Sequence, residues 1–139
     1  VSLYAIPALR SSGYHDDDAV RAHYADGIRR TLQRVKPRPT QAYQTMQLMQ
    51  FNFFMEYGLL EPGVESGLLV INYDRYHEAV TELLRQVLQI QYAGDNEQAR
   101  EFVARWSYWD DKLHGSIAES INNAGGYRRT LVRYGVLNK

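Results

Sequence analysis

At 139 residues the chain fits one domain, long enough to bury roughly 68–70% of the surface its unfolded form exposes. A hydrophobic share of 45% and a charged share of 23% are those of a globular protein and argue against a disordered chain. Acidic and basic residues balance at 16 each, so no net field draws in nucleic acid or an anionic membrane. Cysteine is absent, which removes disulfides, thiolate zinc sites and a cysteine nucleophile and leaves the redox compartment open, with the cytoplasm as the default expectation. No apolar run approaches the roughly 20 residues needed to span a bilayer, so no membrane partner is expected.

The chain opens at Val1 in the middle of an apolar stretch, Val1 to Leu9, without a charged lead-in. That start lacks the basic end and long apolar core of a signal peptide, and reads as a segment excised from a longer protein. After a short helix or turn, Asp16, Asp17 and Asp18 mark a helix N-terminus, where carboxylates accept from free backbone N–H groups. Val20, Tyr24, Ile28, Leu32 and Val35 recur at spacings of three and four and predict one apolar face. Arg29, Arg30, Arg34 and Lys36 crowd the last turns, and Pro37 and Pro39 stop the helix.

Thr40 is positioned to cap a second helix running to about Tyr57, with Gly58 as its stop. No charged residue occurs between Arg38 and Glu56. Tyr43, Met46, Met49, Phe53 and Tyr57 share one side, and Leu48, Phe51 and Met55 occupy others. A helix apolar around most of its girth is surrounded by neighbours, so this one is the expected centre of the fold. Gln44, Gln47, Gln50 and Asn52 argue against lipid, because each amide needs a partner.

Leu68 to Asn72 is short, β-branched and bounded by turn residues, which predicts a strand or half of a hairpin. From about Tyr73, a third long helix places Tyr76, Val80, Leu83, Val87 and Ile90 at helical spacing and stops at Gly94. Asp95 followed by Gln98 resembles a capping box for the next helix, in which Ala99, Phe102, Val103 and Trp106 share a face. Asp110 or Asp111 starts the last helix, which ends near Asn122 to Gly126, and residues 127–139 read as strand or coil. The expected fold is all-α, a single helical bundle over 1–139 with one short strand or hairpin near 68–72.

The four histidines do not assemble a metal site by spacing. A helical zinc motif needs two histidines four residues apart with a glutamate beside the first; His77-Glu78 supplies one half, and Thr81 stands at the second position. Helix capping accounts for the acids beside His15. His23 falls near an apolar face and reads as semi-buried, and His114, four residues after Asp110, suits a surface pair. The serines lack a nucleophile elbow and no glycine-rich phosphate loop is present, so no catalytic and no metal residue is assigned. The basic residues, including Arg128, Arg129 and Arg133, read as a solvated face rather than a nucleic-acid grip. Trp106, Trp109 and the 11 tyrosines suit a core more than a binding platform, although Tyr43 and Gln47, four apart, can look into a cleft.

Four stretches carry a family resemblance. Gln41-Ala42-Tyr43-Gln44-Thr45-Met46-Gln47, continuing through Phe51 to Gly58, is similar to the helix that follows the zinc motifs in the dipeptidyl peptidase III family, peptidase family M49. Val70-Ile71-Asn72-Tyr73-Asp74-Arg75-Tyr76 resembles the next strand and helix start, and Gln89 to Arg100 resembles the family's I-x-x-x-G-D-x-x-x-A stretch. Val1-Ser2-Leu3-Tyr4 looks like the helix entered just after the family's third zinc ligand. The resemblance covers most of residues 1–115. It implies a zinc hydrolase whose ligands lie upstream, so that this chain holds no cofactor itself and has the zinc-bearing segment of the same protein as its partner. Bacterial relatives occur fused to a Nudix (MutT-type) domain. At the places where the family's central helix has an A-H-M-x-x-R pattern, whose His and Arg serve substrate and transition state, this sequence has Tyr43 and Gln47. The two are therefore the candidate substrate-facing residues, without a positive charge at neutral pH.

Overall fold

The computed structural model describes residues 3–63 and 69–124, and the elements are given for those residues. Six α-helices and one two-stranded hairpin follow in the order α1 (Ile6–Ser11), α2 (Asp17–Thr31), α3 (Ala42–Glu56), β1 (Leu60–Pro62), β2 (Leu69–Ile71), α4 (Tyr76–Ala93), α5 (Asn96–Trp106) and α6 (Leu113–Asn123). Single 3-10 turns lead into α1 and α4. The mainly helical class with one small β insertion is as expected. The strand resembles its forecast in place but is shorter, and its partner is β1: Leu60 faces Ile71, Glu61 faces Val70 and Pro62 faces Leu69, antiparallel. Leu68 and the tail from 127 lie outside the described residues.

Helix α3 is the hub, packed against α2, α4, α5 and β1. The absence of charge from Ala42 to Met55 makes this possible, and the one charged residue, Glu56, sits at the exposed end, paired with Arg105. Leu48, Phe51, Asn52, Phe53 and Phe54 are buried. Phe53 stacks on Tyr57 with ring centroids 4.2 Å apart and leans on Trp106 at 4.9 Å. Around these gather Ile6, Tyr24, Ile28, Leu59, Leu60, Tyr76, Ala79 and Val80. Tyr24 and Tyr76 stack nearly parallel at 3.7 Å, and the Tyr76 hydroxyl donates to the Tyr24 carbonyl at 3.3 Å. Burial pushes the Tyr76 phenol far above its ordinary range, so it stays a donor at any physiological pH.

Two helix boundaries differ from their forecasts. Helix α2 stops at Thr31, not near Lys36: the Thr31 hydroxyl donates to the Ile28 carbonyl at 2.7 Å, and Leu32 turns to extended backbone. Leu32 thereby reaches the core, whereas Val35 is left 66% exposed in the connection to α3. Arg34 and Lys36 thus lie beyond the helix, and Arg29 and Arg30 pair with Asp26 at its exposed end. Thr40 does not cap α3; Gln41 holds that position, and its side-chain oxygen accepts from the Arg38 N–H at 2.9 Å. Other signals hold as read. Asp16 accepts from Ala19 N–H, Asp95 from Glu97 and Gln98 N–H, and Gly94 ends α4 at a left-handed φ of 64°.

Gly27, inside α2, has a packing reason. A Cβ there would lie 2.7 Å from the Tyr76 hydroxyl and 2.8 Å from Leu3, whereas one on Gly115 in α6 would meet nothing within 4 Å. Both substitutions gain helix propensity, so their signs separate packing from propensity. Gly27→Ala is expected to lower unfolding stability by about 1–3 kcal/mol through overpacking. Gly115→Ala is expected to raise it by up to about 1 kcal/mol. Urea titration of both variants checks the pair.

Candidate functional site

Two places on α3 gather polar chemistry, and they lie at opposite ends of its exposure range. At the N-terminal turns, Tyr43 stands 77% exposed and Met46 45% exposed, so this part of the helix flank faces solvent rather than core. Gln47 is half-buried, and its side-chain oxygen accepts from Gln33 Nε2 at 3.3 Å. The two candidate residues are therefore neighbours with different surroundings: Tyr43 projects freely, whereas Gln47 ties α3 to the chain leaving α2. Close by, Asn122 at the end of α6 donates to the Arg34 carbonyl at 3.1 Å. Thr31, Leu32, Gln33, Leu48, Phe51, His114 and Ile117 line a partly open pocket of about 10 Å³, at the lower limit for one water molecule and too small for a substrate.

The second place is a buried knot that the sequence did not reveal. Asn52 is 0% exposed and His114 4% exposed. His114 Nε2 lies 2.7 Å from Asn52 Oδ1, and Asn52 Nδ2 donates to the Trp106 carbonyl at 2.8 Å and the Tyr108 carbonyl at 2.9 Å. Those two donations fix which end of the amide is nitrogen, so Oδ1 must accept and Nε2 must carry the imidazole proton. Nδ1 is then free to accept from the Asp110 N–H at 2.9 Å. Phe51, Tyr108 and Trp109 pack around the ring, Trp109 stacking at 5.0 Å. Burial lowers the His114 pKa, against the opposing pull of Asp110, and the ring is neutral at neutral pH.

The forecast of His114 as one half of a surface pair is thus incorrect. Spacing from Asp110 was real, but the Asp110 carboxylate caps α6 through the Lys112 and Leu113 N–H groups, and the ring turns inward. Those bonds hold the Asp110 carboxyl below the usual carboxylate range. A lone histidine shows no sign in sequence that an asparagine 62 positions earlier will meet it. His23 differs from its forecast too: it is exposed, its ring 4.7 Å from that of His15. His77 lies on the exposed side of α4 and stacks on Tyr4 at 5.6 Å. Among the described residues no group of three His, Asp or Glu side chains converges as a metal site would.

The arrangement has no reactive character. His114 has no exposed nitrogen to give or take a substrate proton, and its proton is committed to Asn52. Among the carboxylates, Glu82 is held down to about 2 by Arg85 and Gln86 at the surface, an ion pair within one helix. Two buried polar atoms, Trp106 Nε1 and Thr81 Oγ1, have no partner among the described residues. Loss of the Asn52 amide strands three buried or part-buried groups: one imidazole N–H and two carbonyls. Asn52→Leu is expected to cost about 3 kcal/mol in urea unfolding, whereas Tyr43→Ala is expected to stay within about 0.5 kcal/mol.

Comparison of the chain with family models, with curated proteins and with solved structures gives no match, so the reading of function rests on the residues themselves.

Proposed function

We propose that this chain is a non-catalytic helical domain that forms one wall of the substrate cleft in a longer zinc-dependent hydrolase resembling the dipeptidyl peptidases III. The zinc would be held by a segment of the same protein outside these residues, and the domain would supply shape, burial and exclusion of water. The observation that carries this reading is the divided character of α3. Its second half is core, yet its first half, uncharged as well, leaves Tyr43 and Met46 standing in solvent. A tyrosine there offers a flat apolar face and a hydroxyl that donates and accepts, suited to a peptide backbone lying along the wall.

A flank of α4 fits the same reading. Beyond Val80, the apolar residues Leu84, Val87 and Ile90 are only half-covered and Leu88 is 51% exposed, so the helix runs out past the core. Such a half-covered stripe suits packing against another part of a larger protein.

A second reading is a scaffold or interaction module of a Nudix-fused multidomain protein that kept the helices without the peptidase chemistry. It is favoured by Tyr43 and Gln47, which stand where the resembled family has His and Arg. Metal content separates the two. The longer protein is expected to carry one zinc per chain and the 139-residue chain none, by elemental analysis after dialysis. In the longer protein, Tyr43→Ala is expected to raise KM for peptide hydrolysis about tenfold, or about 1.4 kcal/mol of binding, with unchanged unfolding. A longer protein without zinc, or an unchanged KM, contradicts the first reading.

A further inference from the structure

We propose that His114 and Asn52 form an acid-released latch that holds α6 onto the rest of the fold. The latch spans three parts of the chain: α3 through Asn52, the α5–α6 connection through the carbonyls of Trp106 and Tyr108, and α6 through His114 itself. At its other end α6 is held by the Asn122 bond to the Arg34 carbonyl, an exposed contact, and along its length by Leu113 and Ile117 against the core. The imidazole is therefore the one deeply buried polar tie between α6 and α3 among the described residues.

The closed geometry accommodates one protonation state. Nδ1 already accepts from the Asp110 N–H, so a second ring proton would set two donors against each other at 2.9 Å. The Asp110 carbonyl, 3.2 Å away, is the nearest alternative acceptor, and it already takes the His114 backbone N–H at 2.8 Å. Among the described residues, Asp110 is the one group that favours a cation in the closed state, and burial of the ring outweighs its pull. Helix α3 presents Phe51 and Asn52 to the ring, and the pocket His114 shares is lined further by Leu48, by Thr31 at the end of α2 and by Leu32 and Gln33 after it, none of them titratable. The α5–α6 connection presents Trp109, Tyr108 and Asp110. Burial raises the Tyr108 phenol, which stays neutral, and the Asp110 carboxylate is spent on the start of α6. Helix α6 adds Ile117.

The sign of the effect follows. An imidazole kept neutral in the closed form and exposed in the open form takes up a proton on opening. Closure is therefore strongest above the ordinary imidazole range and weakens as pH falls below about 6.5. One proton taken up over one pH unit bounds the effect at about tenfold in the opening equilibrium near pH 5.5. Asp26, Glu82 and Asp110, all held below their usual values, titrate outside that window.

The test is amide hydrogen exchange of the whole chain at about pH 7.5 and about pH 5.5, corrected for intrinsic exchange chemistry, in the wild type and two variants. In the wild type, the opening constant of α6 is expected to rise several-fold on acidification while amides in the middle of α3 hold theirs. His15→Gln, His23→Gln and His77→Gln together remove the exposed histidines and are expected to leave that response intact. His114→Gln is expected to abolish it. Nitrogen NMR of the wild-type imidazole gives a readout that needs no variant: an Nε2–H tautomer at neutral pH with a midpoint below that of the exposed histidines. A midpoint at or above theirs, or an α6 response that survives in His114→Gln or vanishes in the triple variant, overturns the latch.

Discussion

A single buried amide sets the terms on which α6 and its connection to α5 join the rest of the fold. Asn52 lies in the middle of a helix that carries no charge between Arg38 and Glu56, and its side chain is wholly removed from water. A buried amide without partners would cost a few kcal/mol, about 2–7 depending on reference state, so the site is tolerable only with every bond made. Asn52 makes three, to His114 and to the carbonyls of Trp106 and Tyr108. Apolar neighbours can slide past one another at modest cost. A fully bonded amide cannot, and it fixes where α5 ends, where its connection to α6 runs and how α6 is turned.

Around that point the packing is aromatic and non-directional. Phe53, Phe54, Tyr76, Trp106 and the Tyr24–Tyr76 stack fill the space between α2, α3, α4 and α5. Their burial accounts for the bulk of the stabilisation, while the ion pairs are peripheral. Arg10–Asp17, Arg105–Glu56 and the two pairs of Asp26 all join side chains more than a third exposed, where water and salt leave little net energy. The stability of the fold should accordingly be insensitive to salt.

The helices were readable because their signals are local. The aspartate at position 16 and the one at position 95 cap the helices they precede, Gly94 takes the left-handed backbone that ends α4, and the apolar spacing of Tyr76, Val80 and Leu83 matches the face that packs. The readings that missed depended on contacts distant in sequence or on competition between equal signals. Val35 continues a helical spacing that Thr31 has already ended. Tyr43 has the spacing of a core residue and the exposure of a surface one, a difference set by where α3 leaves the bundle. His114 looks like half of a surface pair because its true partner is 62 residues away. For the candidate site, the sequence could nominate Tyr43 and Gln47 as a pair, but it could not foretell that Gln47 is bonded to Gln33 and Tyr43 is free. The reading as a cleft wall remains a proposal carried by the resemblance and by that exposed tyrosine.

The measurement that tests the central claim most directly is a double-mutant cycle on Asn52→Ala and His114→Ala, read by urea unfolding at neutral pH. If the amide–imidazole bond joins α6 to the hub, the two losses fall short of additivity by about 1–3 kcal/mol, because either substitution alone already breaks the shared contact. Losses that add to within about 0.5 kcal/mol would show the two side chains acting independently and would contradict the account.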